Sequence, residues 1–133
     1  MTQRRKAREA ALQLLYQKDV NPDVSEPVAQ EMLGEILEVD TWNDFAWQLY
    51  TGTLAAGVEL DEQIQAVADN WSLQRMAPTD RNVLRMGVFE MTTLKTPAPV
   101  VLDECIELAK EFGSKQSGPF VNGVLDKLIP ASE

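Results

Sequence analysis

The stretch VLDECIELAKEFGSKQSGPFVNGVLDKLIP, residues 101–130, reads as two helices joined by a tight turn. Val101, Cys105, Leu108, Ala109 and Phe112 recur at steps of three and four, the spacing that lines one face of an α-helix. Gly113 ends that helix as a C′ residue, where glycine most easily turns the chain away. Ser117-Gly118-Pro119 opens the second helix, which presents Val121, Val124, Leu125 and Leu128 before Pro130 stops it.

The same period continues upstream, with no convincing period-two strand anywhere. A helix is expected from about Thr79 to Leu94, burying Leu84, Gly87, Val88 and Met91; Thr96-Pro97-Ala98-Pro99 ends it, and Pro99 suits the first turn of the next. Before it, Thr41 and Asp44 resemble a capping box opening the longest helix, with Phe45, Leu49, Gly52, Ala56, Leu60, Ile64 and Val67 on one face. Its small residues Gly52, Ala55, Ala56 and Gly57 would let a neighbour approach closely, and Trp42, Trp47 and Trp71 at its ends read mostly as core. Ser25 and Pro27 start a shorter helix presenting Val28, Met32, Ile36 and Val39. A first helix over about 4–18 buries Ala7, Ala11, Leu14 and Leu15, and Asn21-Pro22-Asp23 breaks it. The expectation is an all-α fold: one domain of six to seven helices in two packed subdomains, about 1–76 and 77–131, divided at Ala77-Pro78-Thr79.

Charge is distributed unevenly. The first eighteen residues hold five Lys or Arg against one Glu, whereas residues 19–74 hold twelve Asp or Glu and no Lys or Arg, within a net charge of −9. An acidic chain with one basic cluster has one natural place for an anionic partner. The acidic residues are spread at helical intervals, and the adjacent pairs Asp61-Glu62 and Asp103-Glu104 point apart on a helix, which suits a solvated face. Histidine is absent, which removes the commonest general base and metal ligand, and no phosphate loop, nucleophile elbow or C-x-x-C is present. No apolar run is long enough to span a bilayer, so no membrane role is expected. Cys105 is the single cysteine; it reads as packing, and a reducing cytoplasm is the easiest fit. The expectation is a non-enzyme without cofactor or metal.

Two constellations point to nucleic acid. On a helical wheel Arg5 and Tyr16 fall within roughly 20° of each other, with Leu12 between them and Arg8 alongside, over about 16 Å of axis. That face is expected to see solvent. Cations beside a stacking aromatic are the minimal kit for single-stranded RNA, although a solubilising terminus with a half-buried tyrosine fits the same residues. Phe120 lies one position off the buried stripe of the last helix, in its first turn, next to Asn122. It can stack on a base while Asn122 offers amide hydrogen bonds, or it can cover the edge of the core.

Together RRKAREAALQLLY (4–16), DRNVLR (80–85) with Glu90, ELAKEFG (107–113) and FVNGVLDK (120–127) resemble the NusB family of bacterial transcription antitermination factors. Residues 19–70 share only the helical pattern. The resemblance implies two packed helical subdomains and binding to the boxA element of ribosomal RNA leaders together with the ribosomal protein NusE. That assembly joins an RNA polymerase antitermination complex, which reads through terminators. It implies RNA-binding roles for Arg4, Arg5, Lys6, Arg8, Tyr16 and Phe120, and a NusE-facing role for Asp80. Gln116 stands where some members carry an acid, and Pro119 where a base can occur; both lie beside the expected RNA and NusE surface. Some relatives form a homodimer that masks the RNA face. Two other readings stand beside this one. NusB-like domains also begin ribosomal RNA cytosine-5 methyltransferases, and a protein-only adaptor would use the basic face on an acidic protein.

Overall fold

Alanine lets the first helix lie close to its neighbours. The computed structural model describes residues 3–37, 43–68 and 70–131, and in it α1 spans Gln3–Val20 with Ala7, Ala10 and Ala11 wholly buried. It packs mainly against α3 (Asn43–Ala55) and also against α2 (Glu26–Ile36), with Leu14 and Leu15 completing its buried side. Lys18 ends α1 by giving Nζ hydrogen bonds to the carbonyls of Pro22 and Val24, both 2.7 Å, which fixes the turn and places a cation at the negative end of the helix. Ser25 caps α2, its hydroxyl accepting from the Val28 amide at 3.4 Å, and Pro27 sits in the first turn.

The buried stripe of α2 is Ala29, Leu33 and, just past its end, Leu37; Val28 is exposed and Met32 and Ile36 are only half-buried, so the face is turned by one residue from the expected one. Burial follows the small Ala29, which allows closer contact than a β-branched valine. Val39, Thr41 and Trp42, named above, lie outside the described residues. Residues 1–55 form one compact unit and 56–133 the other.

The expected long helix is two. α3 ends at Ala55, Ala56 leaves helical geometry at φ −92° and ψ 9°, and its carbonyl accepts from the Leu60 amide to start α4 (Gly57–Val67). Gly57 thus opens α4, and no neighbour comes within 4 Å of where its Cβ would be. The break also moves the division of the chain upstream of Ala77-Pro78-Thr79, because α4 packs on α5 (Pro78–Thr92).

Within the second unit α5 is the hub, touching α4, α6 (Ala98–Phe112) and α7 (Ser117–Asp126). Every residue from Asn82 to Met91 is buried except Arg85. Arg85 grips Asp61 of α4 with two bonds, Nε to Oδ1 at 2.7 Å and Nη2 to Oδ2 at 3.1 Å, and donates through Nη1 to Asn82. Asp61 therefore braces two helices and is not simply part of a solvated face; a forked, part-buried pair of this kind is the strong form of surface ion pairing. Gly87 is where α5, α6 and α7 meet. A Cβ there would lie 2.9 Å from Cys105 Sγ and 3.3 Å from both Leu125 methyls. Cys105 is buried, as expected from its stripe. Gly113 caps α6 at φ −106° and ψ −157°, an extended and not a left-handed turn, and a Cβ there would strike the Ser117 hydroxyl.

Two outcomes test this packing. Gly87→Ala is expected to destabilise despite about 1 kcal/mol of improved helix propensity, because overpacking costs roughly 1–3 kcal/mol. In a urea-denaturation cycle Cys105→Ala should cost less in that background than in the wild type. Tyr50 has its ionisation pushed upward, first by burial and then by the charge of Glu26. Its contribution is intact below the ordinary tyrosine value of about 10 and is lost as pH rises beyond it, since the unfolded chain ionises first. Tyr50→Phe should therefore flatten the fall of the urea midpoint between about pH 9 and pH 11.

Candidate functional site

The basic cluster and the Phe120 region lie in different compact units. On α1, Arg4 and Lys6 are exposed, Arg5 is half-buried and Tyr16 is 38% exposed. Arg8 is only 3% exposed, as is Leu12, so the face expected to see solvent is buried along part of its length. Phe45 of α3 gives part of the reason. The guanidinium carbons of Arg8 and Arg4 stand 5.5 Å and 5.6 Å from its ring centroid. Cation–π contacts of this kind contribute about 0.5–2 kcal/mol, more as the cation is desolvated. Arg8 is thus a brace between α1 and α3, and the solvent-facing cations are Arg4, Lys6 and part of Arg5.

In the second unit Phe120 is half-buried in the first turn of α7. Its ring meets Trp71 edge to face, centroids 6.2 Å apart and planes at 73°. Trp71 is 53% exposed, against the expectation of core. The aromatic pair forms a wall between two recesses. One is lined by Trp71, Arg75, Asp80, Gln116 and Phe120, so it brings together three of the residues singled out from sequence. Asp80 stands in the first turn of α5, where a carboxylate complements the helix dipole, and its Oδ1 is buried without a hydrogen-bond partner. The other recess is lined by Asn70, Trp71, Pro119, Phe120, Gly123 and Lys127, among others. Asn122 is exposed and lines neither.

Trp71 is held by a side chain that no motif identifies. Gln65 of α4 donates from Nε2 to the Trp71 carbonyl at 2.8 Å and accepts through Oε1 from the Leu73 amide at 3.0 Å. Arg81 adds Nη1 bonds to the carbonyls of Leu73 and Met76, both 3.2 Å, closing the short 3-10 turn Leu73–Arg75. Gln65 sits on an exposed helix face, and its only sequence signal is proximity to Trp71; the pairing depends on a loop whose path the residues alone do not specify. Among the described residues no group of His, Cys, Asp and Glu is arranged to hold a metal ion, and no helix is long and apolar enough to cross a membrane.

Comparison with known proteins covers both regions. The model of the NusB family matches residues 5–130. A transcription antitermination protein NusB from Anaeromyxobacter dehalogenans is 45% identical over 96% of this chain and 92% of its own length. One from Solibacter usitatus is 40% identical over 95% of this chain and 88% of its own. Among solved structures, T. maritima NusB superimposes with a TM-score of 0.85 at 34% identity, covering 96% of this chain and 91% of that one. NusB crystallised with NusE and double-stranded RNA gives 0.81 at 27% identity, covering 94% of each chain. Identity at this level along nearly the full length, on the same all-helical fold, leads to one conclusion: the chain belongs to the NusB family.

Proposed function

We propose that this protein is a transcription antitermination factor that binds boxA-type RNA of ribosomal RNA leaders jointly with NusE and helps RNA polymerase read through terminators. The observation that carries the proposal is the 45% identity, over 96% of the chain, to a protein bearing that name. A structural relative at a TM-score of 0.81 holds both NusE and RNA, which supports the two partner classes. The protein acts by binding in the cytoplasm, without catalysis, cofactor or metal. The relatives that support it carry the antitermination name and not that of a methyltransferase.

The division of labour follows from exposure and charge. Arg4, Arg5 and Lys6 neutralise phosphates at the start of α1, and Tyr16 offers a ring along the same helix. Arg8 positions that helix through Phe45 and contributes to RNA binding through the fold. Phe120 reads a base, and Asn122, exposed on the same helix, supplies hydrogen bonds. Asp80 and Gln116 share a recess and form the NusE-facing side, where the buried, unpartnered Asp80 oxygen awaits a donor. An acidic body repels RNA elsewhere, which restricts the strand to these places.

A filter-binding titration with boxA and scrambled RNA, with and without NusE, tests the proposal; equal binding of both RNAs in the presence of NusE overturns it. Three phosphate contacts on a single strand give the α1 patch a log–log salt slope of roughly −2, and Arg4→Ala or Lys6→Ala should each reduce it by about 0.7. Arg8→Ala should differ by also lowering the urea midpoint. Asp80→Ala should weaken capture of NusE measured without RNA and leave the salt slope unchanged.

A further inference from the structure

Trp71 combines an exposed ring with a fixed backbone. More than half of the residue's surface faces solvent. Yet its amide donates to the Ala68 carbonyl at 3.1 Å, and its own carbonyl accepts from Gln65 Nε2. Leu73 is held on both sides, its amide by Gln65 Oε1 and its carbonyl by Arg81 Nη1. The amide of Met76, whose side chain is buried, closes the turn on the Ser72 and Leu73 carbonyls, both at 3.2 Å. Both Gln65 bonds lie in solvent, where water would serve the same groups, so they add little to the stability of the fold. Holding both ends of the amide on one loop costs Gln65 its conformational freedom. No side chain from Trp71 to Arg75 is buried, so the clamp secures no piece of the core. What it fixes is the place of the ring.

The surface beside that ring has the composition of a protein interface. The recess that Trp71 walls is lined by Met76 and Ala77 as well as by Arg75, Asp80 and Gln116. One acid and one cation cancel, which leaves no net attraction for a phosphate backbone. Apolar groups around a rigid indole, with an amide and two opposite charges beside them, suit the mixed side chains of a protein partner. Tryptophan is enriched at such surfaces because it buries a large area with few torsions to freeze. A ring of this kind contributes binding energy only where it is held in the position that its partner requires.

We propose that Gln65 is a positioning residue for NusE capture: its amide holds the Trp71 ring as the wall of the Asp80 recess, and NusE packs an apolar side chain against that ring. Gln65 itself touches no partner and acts through Trp71. The proposal rests on the reading of the Asp80–Gln116 side as the NusE-facing one. It adds the ring that forms the wall of that side and the side chain that sets the ring.

The test is a double-mutant cycle in the whole chain, with NusE capture titrated in the absence of RNA and each variant melted thermally. Trp71→Ala should weaken capture at least about tenfold, as for a central tryptophan of an interface. Gln65→Ala and Gln65→Met should each weaken it about fivefold, the order of one net hydrogen bond, although methionine keeps the bulk of the side chain. Both should melt close to the wild type. In the Trp71→Ala background the Gln65→Ala change should alter capture less than about twofold, because the ring it places is gone. An undiminished loss in that background overturns the proposal. So does unchanged capture by Gln65→Ala with a lowered Tm, which makes the amide a brace of the loop alone. If Gln65→Ala loses boxA RNA while keeping NusE, the clamp supports an RNA surface and the proposal is overturned in that direction. If the wild type does not capture NusE, the reading of the recess falls with it. If Asp80→Ala weakens capture and Trp71→Ala does not, only the present proposal falls.

Discussion

The approach of α6 and α7 to α5 at Gly87 is the constraint on which the second unit depends. No side chain fits between the helix backbone and Cys105 Sγ, so the two later helices are drawn onto α5 at one point. From there the geometry propagates outward. The turn after α6 must be tight, which Gly113 and Ser117 satisfy, with the Ser117 hydroxyl accepting from the Ser114 amide at 2.9 Å. α7 then begins with its first turn beside Trp71, and Phe120 meets that ring. On the opposite flank Arg85 holds α4 through Asp61, and α4 carries Gln65. The recess residues are therefore carried by elements whose positions all refer back to α5.

Charge and packing share residues in the first unit. Arginine tolerates this because its guanidinium is flat and weakly hydrated, so it can lie near an aromatic ring while remaining charged. Arg8 and Arg4 both stand beside Phe45, yet only Arg8 is buried. A lysine in the place of Arg8 would keep the charge and lose the planar contact. The basic cluster is consequently two things at once: an attachment of α1 to α3, and a set of cations at its exposed edge.

Much of this was legible from residue spacing. The all-helical character, the cap at Ser25, Pro99 in the first turn of α6, the buried Cys105 and the stripe of Val121, Val124 and Leu125 follow from periodicity and from glycine and proline chemistry. The division of the long helix at Ala56 was not legible, because Ala55-Ala56-Gly57 contains no residue that forbids helix. Periodicity also misled at Arg8, since a wheel treats every arginine as solvent-seeking and cannot see a Phe45 presented by another helix. Trp71 failed in the opposite sense: its size argued for burial, and only the loop path leaves half of it in solvent. At the site, Asp80, Gln116 and Phe120 were named separately, whereas their convergence on one recess required the fold.

The double clamp of Gln65 on the Trp71 segment has a kinetic consequence. A loop that bears an exposed ring ordinarily samples many conformations, and a ligand must select among them, which lowers both affinity and the rate of productive encounter. Here the backbone on either side of Ser72 is tied to a helix by one amide side chain, and Arg81 ties the next turn. The ring is presented in place before anything arrives. Any association at this surface would then be governed by diffusion and electrostatic steering, without a conformational search of the Trp71 segment as a slow step.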